Sequence, residues 1–216
     1  MSARSPIDSV VATTRGDDGT TGLLFGGDRI AKDDPRAEAY GTVDEAVAAL
    51  GLARANLGVK RRTGTLALPM GGLGDLILRF QRELFVVGAQ LATNPDAWDR
   101  LEDGRTRVSE AMVRDLEAVL VELESHIEMP REFVVPGETP TSAALELART
   151  ILRRAERRAV SLDRNGLVPG KHLIPYLNRL ADLVWVLARA AEQAESRTAT
   201  PARRRADGPP QTEGTS

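Results

Sequence analysis

Residues 141–162, TSAALELARTILRRAERRAVSL, carry the clearest secondary-structure signal in the chain. If this segment is a helix with about 100° between successive residues, one sector of it is apolar along its whole length. That sector consists of Ala144, Ala148, Ile151, Ala155, Ala159 and Leu162. Because most of these side chains are alanine, a neighbouring helix can approach closely. The segment therefore predicts a helix in the centre of a helical bundle.

A second sector of this predicted helix carries Arg149, Arg153 and Glu156, within about 60° of one another. One interpretation is a solvated outer face, on which each exposed ion pair contributes about 0.2–0.5 kcal/mol. The other is a guanidinium fork for phosphates, oriented by Glu156. The cluster of Arg149, Arg153, Arg154, Arg157 and Arg158 with one acid favours an anionic ligand, but the residues alone leave both interpretations open.

Four other segments space their apolar side chains by three and four residues. Asp34 and Pro35 supply an N-cap and a first-turn proline for a helix that ends near Gly58. The other helices are predicted at about residues 73–91, 109–128 and 173–197. Strand signals are few, so the sequence predicts an all-α protein, a five-helix up-and-down bundle.

The length of 216 residues suits one domain, predicted over residues 1–195 with an N-terminal arm and loop at 1–33. Residues 196–216 lack large apolar side chains and are expected to be a disordered tail. The arginines at 203–205 could meet an anion or nucleic acid, but they are more typical of a solvated tail.

Composition excludes several kinds of chemistry. The chain has no cysteine, which removes disulfides, Cys-ligated zinc and thiol nucleophiles, and it has two histidines, too few for a His-rich metal site. A net charge of −2 argues against a general nucleic-acid binder. No apolar run approaches a membrane span, and the first residues lack the apolar region of a signal peptide. We expect a cytoplasmic protein that binds neither membrane nor nucleic acid.

The segment TRGDDGTTGLLFGG, residues 14–27, concentrates glycine and threonine ahead of the first helix. A flexible arm is one explanation. A loop that turns its backbone N–H groups and hydroxyls towards a polyphosphate is the other, since glycine lets the backbone approach an anion closely. The segment is not a Walker A motif, because it lacks the lysine and hydroxyl residue that end that pattern.

One face of the fifth predicted helix carries Asn178, Asp182, Trp185 and Arg189. The amide of Asn178 offers a donor and an acceptor, which suits an adenine edge or a ribose hydroxyl. Asn178 could equally be an ordinary polar residue near a helix start. Trp185 is more typical of a core or an interface than of a stacking platform.

Taken together and in order, these motifs resemble the PduO-type ATP:cob(I)alamin adenosyltransferases. The resemblance covers about residues 13–192 and rests on five segments: GDDGTTGLL with the following GG, KDDPRAEAYGTVDEAVAALGLARA, LFVVGAQLAT, FVVPGETPTSAALELARTILRRAERRAVSL and YLNRLADLVWVLAR. It implies a ferritin-like, cobalamin adenosyltransferase-like bundle with an N-terminal glycine-rich loop. It also implies a homotrimer whose sites lie between subunits, each combining the loop of one subunit with the fourth and fifth helices of another.

The resemblance also implies roles for individual residues. The ATP-binding residues would be Thr13, Thr14, Arg15, Gly16, Asp17, Gly19, Thr20, Thr21, Lys32, Arg153, Arg154, Glu156, Arg157 and Asn178, with Mg²⁺ on the phosphates. Arg153, Phe133 and Glu156 would be catalytic, Phe133 by helping to displace the lower axial ligand of cobalamin. Asp44 and Arg149 would form an intersubunit ion pair.

The implied activity is transfer of the 5′-deoxyadenosyl group of ATP to the cobalt of cob(I)alamin, or of the related cob(I)yrinic acid a,c-diamide. Triphosphate would be released and adenosylcobalamin formed, with a reductase and an adenosylcobalamin-dependent enzyme as possible partners. Three features depart from the family: Arg15 replaces a hydroxyl residue, one extra residue lies near Asp28, and no aromatic residue follows Trp185. The alternatives are a non-catalytic carrier or sensor for a nucleotide or cobalamin, and a structural helical oligomer.

Overall fold

The computed structural model describes residues 9, 11–60, 67–68 and 71–203. Within them the five predicted helices are present, which confirms the all-α bundle. They are α1 (Pro35–Lys60), α2 (Leu73–Ala92), α3 (Glu110–Glu124), α4 (Pro140–Arg164) and α5 (Leu173–Ala194). Helices α3 and α5 end a few residues earlier than predicted. A short 3₁₀ helix at Pro95–Arg100 lies between α2 and α3.

Helix α4 lies at the centre of the bundle between α1 and α5, while α2 packs on α1 and α3 packs on α5. The predicted apolar sector of α4 is buried apart from Ile151, which is partly buried. Leu145 and Leu152 are fully buried beside it, so the apolar sector is wider than the alanine stripe alone. The small side chains allow α4 to contact helices on both sides.

Local side-chain chemistry fixes where the helices begin. The Asp34 carboxylate accepts a hydrogen bond of 2.8 Å from the backbone N–H of Arg36, as expected for the N-cap of α1. Thr139 and Ser142 form a reciprocal capping box at the start of α4, just ahead of the arginine-rich face. These caps set the register with which the charged side chains of α4 meet their neighbours.

Buried polar side chains tie loops and helices together. The Gln90 side chain of α2 accepts a hydrogen bond of 2.8 Å from the backbone N–H of Val108 and donates one to the carbonyl of Pro169. The hydroxyl of Tyr176 donates to Glu83 at 2.7 Å, and Glu83 also pairs with Arg79. Burial, together with the charge of Glu83, holds the pKa of Tyr176 well above its usual value.

Three short antiparallel strand pairs are present in the described chain, and only the last of them joins segments that are far apart in sequence. They are β1 (Thr20–Thr21) with β2 (Ile30–Ala31), β3 (Ala67–Leu68) with β4 (Gly71–Gly72), and β5 (Val134–Val135) with β6 (Thr200–Pro201). Strand β6 of the last pair lies inside the segment 196–216, which the sequence predicts to be a disordered tail. Hydrogen bonds from the backbone of β5 hold β6 in place, although the composition of this segment does not favour a folded structure. Residues 204–216 lie outside the described part of the chain.

None of the helices in the described residues is long and apolar enough to cross a membrane.

Candidate functional site

A cleft of about 330 Å³ opens between α3, α4 and α5. Its lining combines apolar walls with charged side chains of both signs: Leu120, Glu124, Arg149, Arg153, Ala181, Asp182, Trp185 and Val186. Arg149 and Arg153 of the charged sector predicted for α4 therefore face this cleft, and so do Asp182 and Trp185 of the face predicted for α5. A concave surface with a few convergent polar groups is typical of a ligand site.

The arginines of α4 divide into paired and unpaired groups. Arg154 forms an ion pair with Glu45 of α1, and Arg158 pairs with Glu38 at 3.2 Å. Arg153 and Arg157 are exposed and form no ion pair with any residue that the structure describes. Two guanidinium groups without a counter-charge on one helix are a favourable environment for an anion.

Asn178 is held by charged neighbours on both sides of its amide group. Its Nδ2 donates to Glu156 at 3.2 Å, and its Oδ1 accepts from Arg179 at 2.9 Å. Arg179 in turn pairs with Glu117 of α3 at 3.0 Å. The structure thus brings Glu156 and Asn178 together, as the resemblance implies, and adds Arg179 and Glu117, which the sequence analysis did not single out.

Side-chain hydrogen bonds order the N-terminal loop where it enters β1. Asp18 accepts hydrogen bonds from the N–H and the hydroxyl of Thr20, at 2.9 and 2.8 Å. These bonds, the hydroxyl bond first, hold the pKa of Asp18 below its usual value. Arg29 donates to the carbonyls of Arg15 and Thr20, each at 2.9 Å, and so closes the loop from outside.

Lys32 lies against the glycines of this loop. Its backbone N–H donates to the carbonyl of Gly19 at 2.9 Å. A Cβ atom added to Gly16 would lie only 3.0 Å from Nζ of Lys32, so the glycine leaves room for the ammonium group. Gly19 has a φ of +77°, which glycine adopts readily. The structure therefore gathers a lysine, backbone N–H groups and threonine hydroxyls on one loop, a combination suited to phosphates.

The loop is anchored to the end of α2. The backbone of Leu24 pairs with that of Thr93, and its N–H donates to Ala92 at 2.8 Å. Gly27 has a φ of +89°, and a Cβ atom there would come within 1.8 Å of the Asn94 side chain. This close approach requires glycine, and it holds the N-terminal loop against the C-terminal end of α2.

Phe133 lies beside the strand pair of β5 and β6 and is 90% exposed. Its carbonyl accepts a hydrogen bond of 2.7 Å from the N–H of Ala202, so the C-terminal strand holds the backbone of this segment. A phenylalanine this exposed, with Val135 also exposed nearby in sequence, offers an apolar surface to a ligand or a partner chain.

Within one chain, the predicted residues do not all meet. Among the described residues, no hydrogen bond or ion pair joins the loop residues Thr13, Thr14, Arg15, Gly16, Asp17, Gly19, Thr20, Thr21 or Lys32 to Arg153, Glu156, Arg157 or Asn178. Asp44 is exposed and has no ion-pair partner in the described chain, whereas Arg149 pairs with Glu146 at 2.6 Å. The two halves of the predicted site thus form no direct hydrogen bond or ion pair with each other among the described residues of this single chain.

Sequence reasoning missed a buried charged cluster next to the cleft. Arg189, which was placed on the polar face of α5, is only 1% exposed and pairs with Glu146 and Glu192 at 3.3 and 2.9 Å. The signal available in the sequence was weak, because Glu146 sits between the buried residues Leu145 and Ala148 of α4. A charged residue at the edge of an apolar helix face predicts a buried ion pair only when the helix that packs against that face is known.

The bundle, the cleft beside the arginine-rich face of α4 and the glycine-rich loop define a class of helical protein that binds an anionic ligand such as a nucleotide. Residues 11–191 match the family model described as cobalamin adenosyltransferase, and the chain belongs to this family.

Curated relatives agree over most of the chain. The corrinoid adenosyltransferase of Citrobacter freundii is 37% identical over 182 residues, which cover 84% of this chain and 94% of the relative. That of Mycobacterium tuberculosis is 36% identical over 190 residues, covering 84% of this chain and 88% of the relative.

Solved structures agree as well. A variant of the PduO-type ATP:corrinoid adenosyltransferase of Lactobacillus reuteri, complexed with ATP, superposes with a TM-score of 0.75 at 28% identity, covering 89% of this chain and all of the other. A second variant of that enzyme, complexed with cobalamin and ATP, gives a TM-score of 0.72 at 28% identity, covering 89% of this chain and 98% of the other.

Proposed function

We propose that the chain is an ATP:corrinoid adenosyltransferase, which transfers the 5′-deoxyadenosyl group of ATP to the cobalt of a cob(I)alamin-type corrinoid. In this reaction the reduced cobalt attacks C5′ of ATP. A Co–C5′ bond forms while the bond from C5′ to the triphosphate oxygen breaks, and triphosphate leaves whole. The observation that best supports this function is the pair of guanidinium groups without ion-pair partners in the described chain: that of Arg153, which lines the cleft, and that of Arg157, one turn further along α4.

The protein's part in this reaction is positioning and charge stabilisation, because cobalt itself is the nucleophile. Arg153, Arg157 and Lys32 would offset the charge that develops on the leaving triphosphate. Glu156 would orient Arg153 and Asn178, and Asn178 would hydrogen-bond the nucleoside. Arg154, which pairs with Glu45 here, would contribute to the phosphate site from the edge of α4.

The loop would wrap the phosphates through Thr13, Thr14, Gly16, Asp17, Gly19, Thr20 and Thr21. Arg15 would serve the phosphates with a guanidinium where the family commonly has a hydroxyl. Its carbonyl accepts from Arg29, so its backbone is already fixed.

Phe133 would supply an apolar wall on the corrin side, excluding the lower ligand and water from cobalt. Its high exposure in the single chain leaves the ring available for this contact. Mg²⁺ would enter with ATP and be held by its phosphates, since no group of three or more acidic or histidine side chains in the described residues could hold a metal ion.

We further propose that the complete site forms between subunits of a homotrimer. The exposure of Asp44, which would pair with Arg149 of a neighbouring subunit, supports this arrangement. A cytoplasmic location, a reductase and an adenosylcobalamin-dependent enzyme as partners remain predictions from the sequence.

The decisive experiment is adenosyl transfer in vitro. Purified protein is incubated anaerobically with MgATP and chemically reduced cobalamin, and both 5′-deoxyadenosylcobalamin and triphosphate are measured by chromatography. Formation of the two products in equal amounts is expected. Binding of MgATP, detected as a rise in Tm, without any product would instead identify a nucleotide-binding carrier or sensor.

A further inference from the structure

Four charged side chains beside the cleft form one connected group, which we name the charged cluster. Glu146, Arg189 and Glu192 are buried, and Arg149 is partly exposed. Glu146 divides its carboxylate between two helices. Its Oε1 lies 3.3 Å from Arg189 of α5, and its Oε2 lies 2.6 Å from Arg149 of α4. Glu146 is only 4% exposed, and two cations compensate its charge and that of Glu192.

This cluster is a costly way to fill the interior. Moving a charge out of water is energetically unfavourable, and a buried ion pair often contributes no more to stability than apolar side chains of similar size. The cost is visible at Glu192, where burial raises the pKa against the opposing charge of Arg189. Nε and Nη1 of Arg189 also lack a hydrogen-bond acceptor of good geometry in the described chain.

The cluster contacts the lining of the cleft at two points. Arg149 lines the cleft and is held through Glu146. Trp185 lines the cleft from α5, and the guanidinium carbon of Arg189 lies 5.6 Å from the centre of its ring. One buried arginine is therefore linked to a cation and to an aromatic ring that the cleft presents from two different helices.

We propose that Glu146 and Arg189 are positioning residues, which hold the Arg149 guanidinium for its ion pair with Asp44 of a neighbouring subunit and the Trp185 indole in place, and so shape the cleft for the anionic nucleotide. The inference rests on the proposed function, because it concerns the ATP that the cleft receives. Neither residue touches the ligand: Glu146 acts through Arg149, and Arg189 acts through Glu146 and Trp185.

The main test is a coupling experiment with the isosteric variant Glu146→Gln. We expect the KM for ATP to rise about tenfold, the scale of one misplaced charge-assisted contact. In an Arg149→Met background the same substitution should change KM less than about twofold, because the residue that it positions is gone. A purely structural Glu146 would instead lower Tm equally in both backgrounds and leave both KM values unchanged, which would overturn the proposal.

A second variant keeps the test decisive if Glu146→Gln does not fold. Arg189→Lys retains the buried charge but loses the planar fork that reaches two carboxylates and the ring. It should raise the KM for ATP and shift the Trp185 emission, measured in a Trp98→Phe background that leaves Trp185 as the only tryptophan. Wild-type KM and emission in a folded Arg189→Lys protein would contradict the inference.

The matched control is Arg79→Met. Arg79 also pairs with a glutamate on its own helix and lies 6.0 Å from an aromatic ring, but it belongs to α2 and does not line the cleft. Its KM should stay at the wild-type value. The wild-type assay separates the two hypotheses: an inactive wild type contradicts the proposed function, whereas an active wild type with unchanged variants contradicts only the positioning role.

Discussion

At the scale of single residues, α4 carries arginines that look alike in sequence but have different surroundings. Arg158 pairs with Glu38 and helps to hold α4 against α1. Arg153 lines the cleft and has no ion-pair partner in the described chain. The side chain without a partner is the one available to a ligand, because binding an anion there breaks no existing ion pair.

Replacing Arg153 by alanine should therefore separate function from stability. We expect turnover to fall about a hundredfold or more, since a charge that stabilises the leaving triphosphate is lost. The Tm and the oligomeric state should stay at wild-type values. Arg158→Ala is the matched control, with near-normal turnover, and a similar loss in both variants would remove Arg153 from its assigned role.

Gly27 offers a test of how the N-terminal loop is anchored. Gly27→Ala combines a positive φ with a clash against Asn94, whereas Gly26→Ala shares a positive φ of +86° but meets nothing within 4 Å. The free energy needed to open the loop away from α2 should fall by about 2 kcal/mol in Gly27→Ala and by about 1 kcal/mol in Gly26→Ala. Hydrogen exchange at the Leu24 amide measures this directly. Equal exchange rates in the two variants would show that the contact with Asn94 does not anchor the loop.

At the scale of elements, the helices are predictable because their signal is local. The apolar spacing from Leu76 to Leu91 and the N-cap at Asp34 depend on neighbours within one or two turns. The 3₁₀ helix at Pro95–Arg100 and the pairing of β5 with β6 are not predictable in this way. The first is too short to show a periodicity, and the second depends on residues far apart in the chain.

The site follows the same division. The sequence predicts the cationic face of α4 and the glycine-rich loop, because each is a continuous segment. It does not predict that Arg189 is buried, since that depends on Glu146, which comes from another helix. Nor does it predict Arg179 and Glu117 beside Asn178, because Glu117 belongs to α3.

Substitution of Gln90 measures how strongly its hydrogen bonds connect α2 to the loops before α3 and α5. Gln90→Leu leaves the N–H of Val108 and the carbonyl of Pro169 without their partner in a buried place. We expect the free energy of unfolding, measured with urea, to fall by about 2–4 kcal/mol. Gln81→Leu should lower the free energy of unfolding by less than about 1 kcal/mol. The Gln81 side chain donates one hydrogen bond, and its buried Oε1 accepts none in the described chain. Equal losses would contradict a special role for Gln90.

At the scale of the whole molecule, the proposed division of each site between the loop of one subunit and α4 of the next predicts how mixed assemblies behave. Lys32→Ala and Arg153→Ala should each be nearly inactive alone. When the two are refolded together, a site that takes its loop from one subunit and α4 from the next is intact in about a quarter of cases, so about a quarter of wild-type activity should return.

The control for this mixture is Arg153→Ala with Asn178→Ala. Both residues lie on the same side of the proposed interface, so no combination of subunits restores an intact site and no activity should return. Mass spectrometry under native conditions verifies that mixed trimers have formed. Mixed trimers of the first pair without recovered activity would show that each site is built within a single chain.

The hydrogen bond between Ala202 and Phe133 couples the backbone of the β6 strand to the backbone that carries the exposed Phe133 side chain. A tag inserted directly after residue 203 would therefore disturb the backbone of Phe133 through a single strand. Protein with its tag ahead of the N-terminal arm is the proper reference for every kinetic comparison, and a loss of corrinoid affinity on insertion after residue 203 would report on this linkage itself.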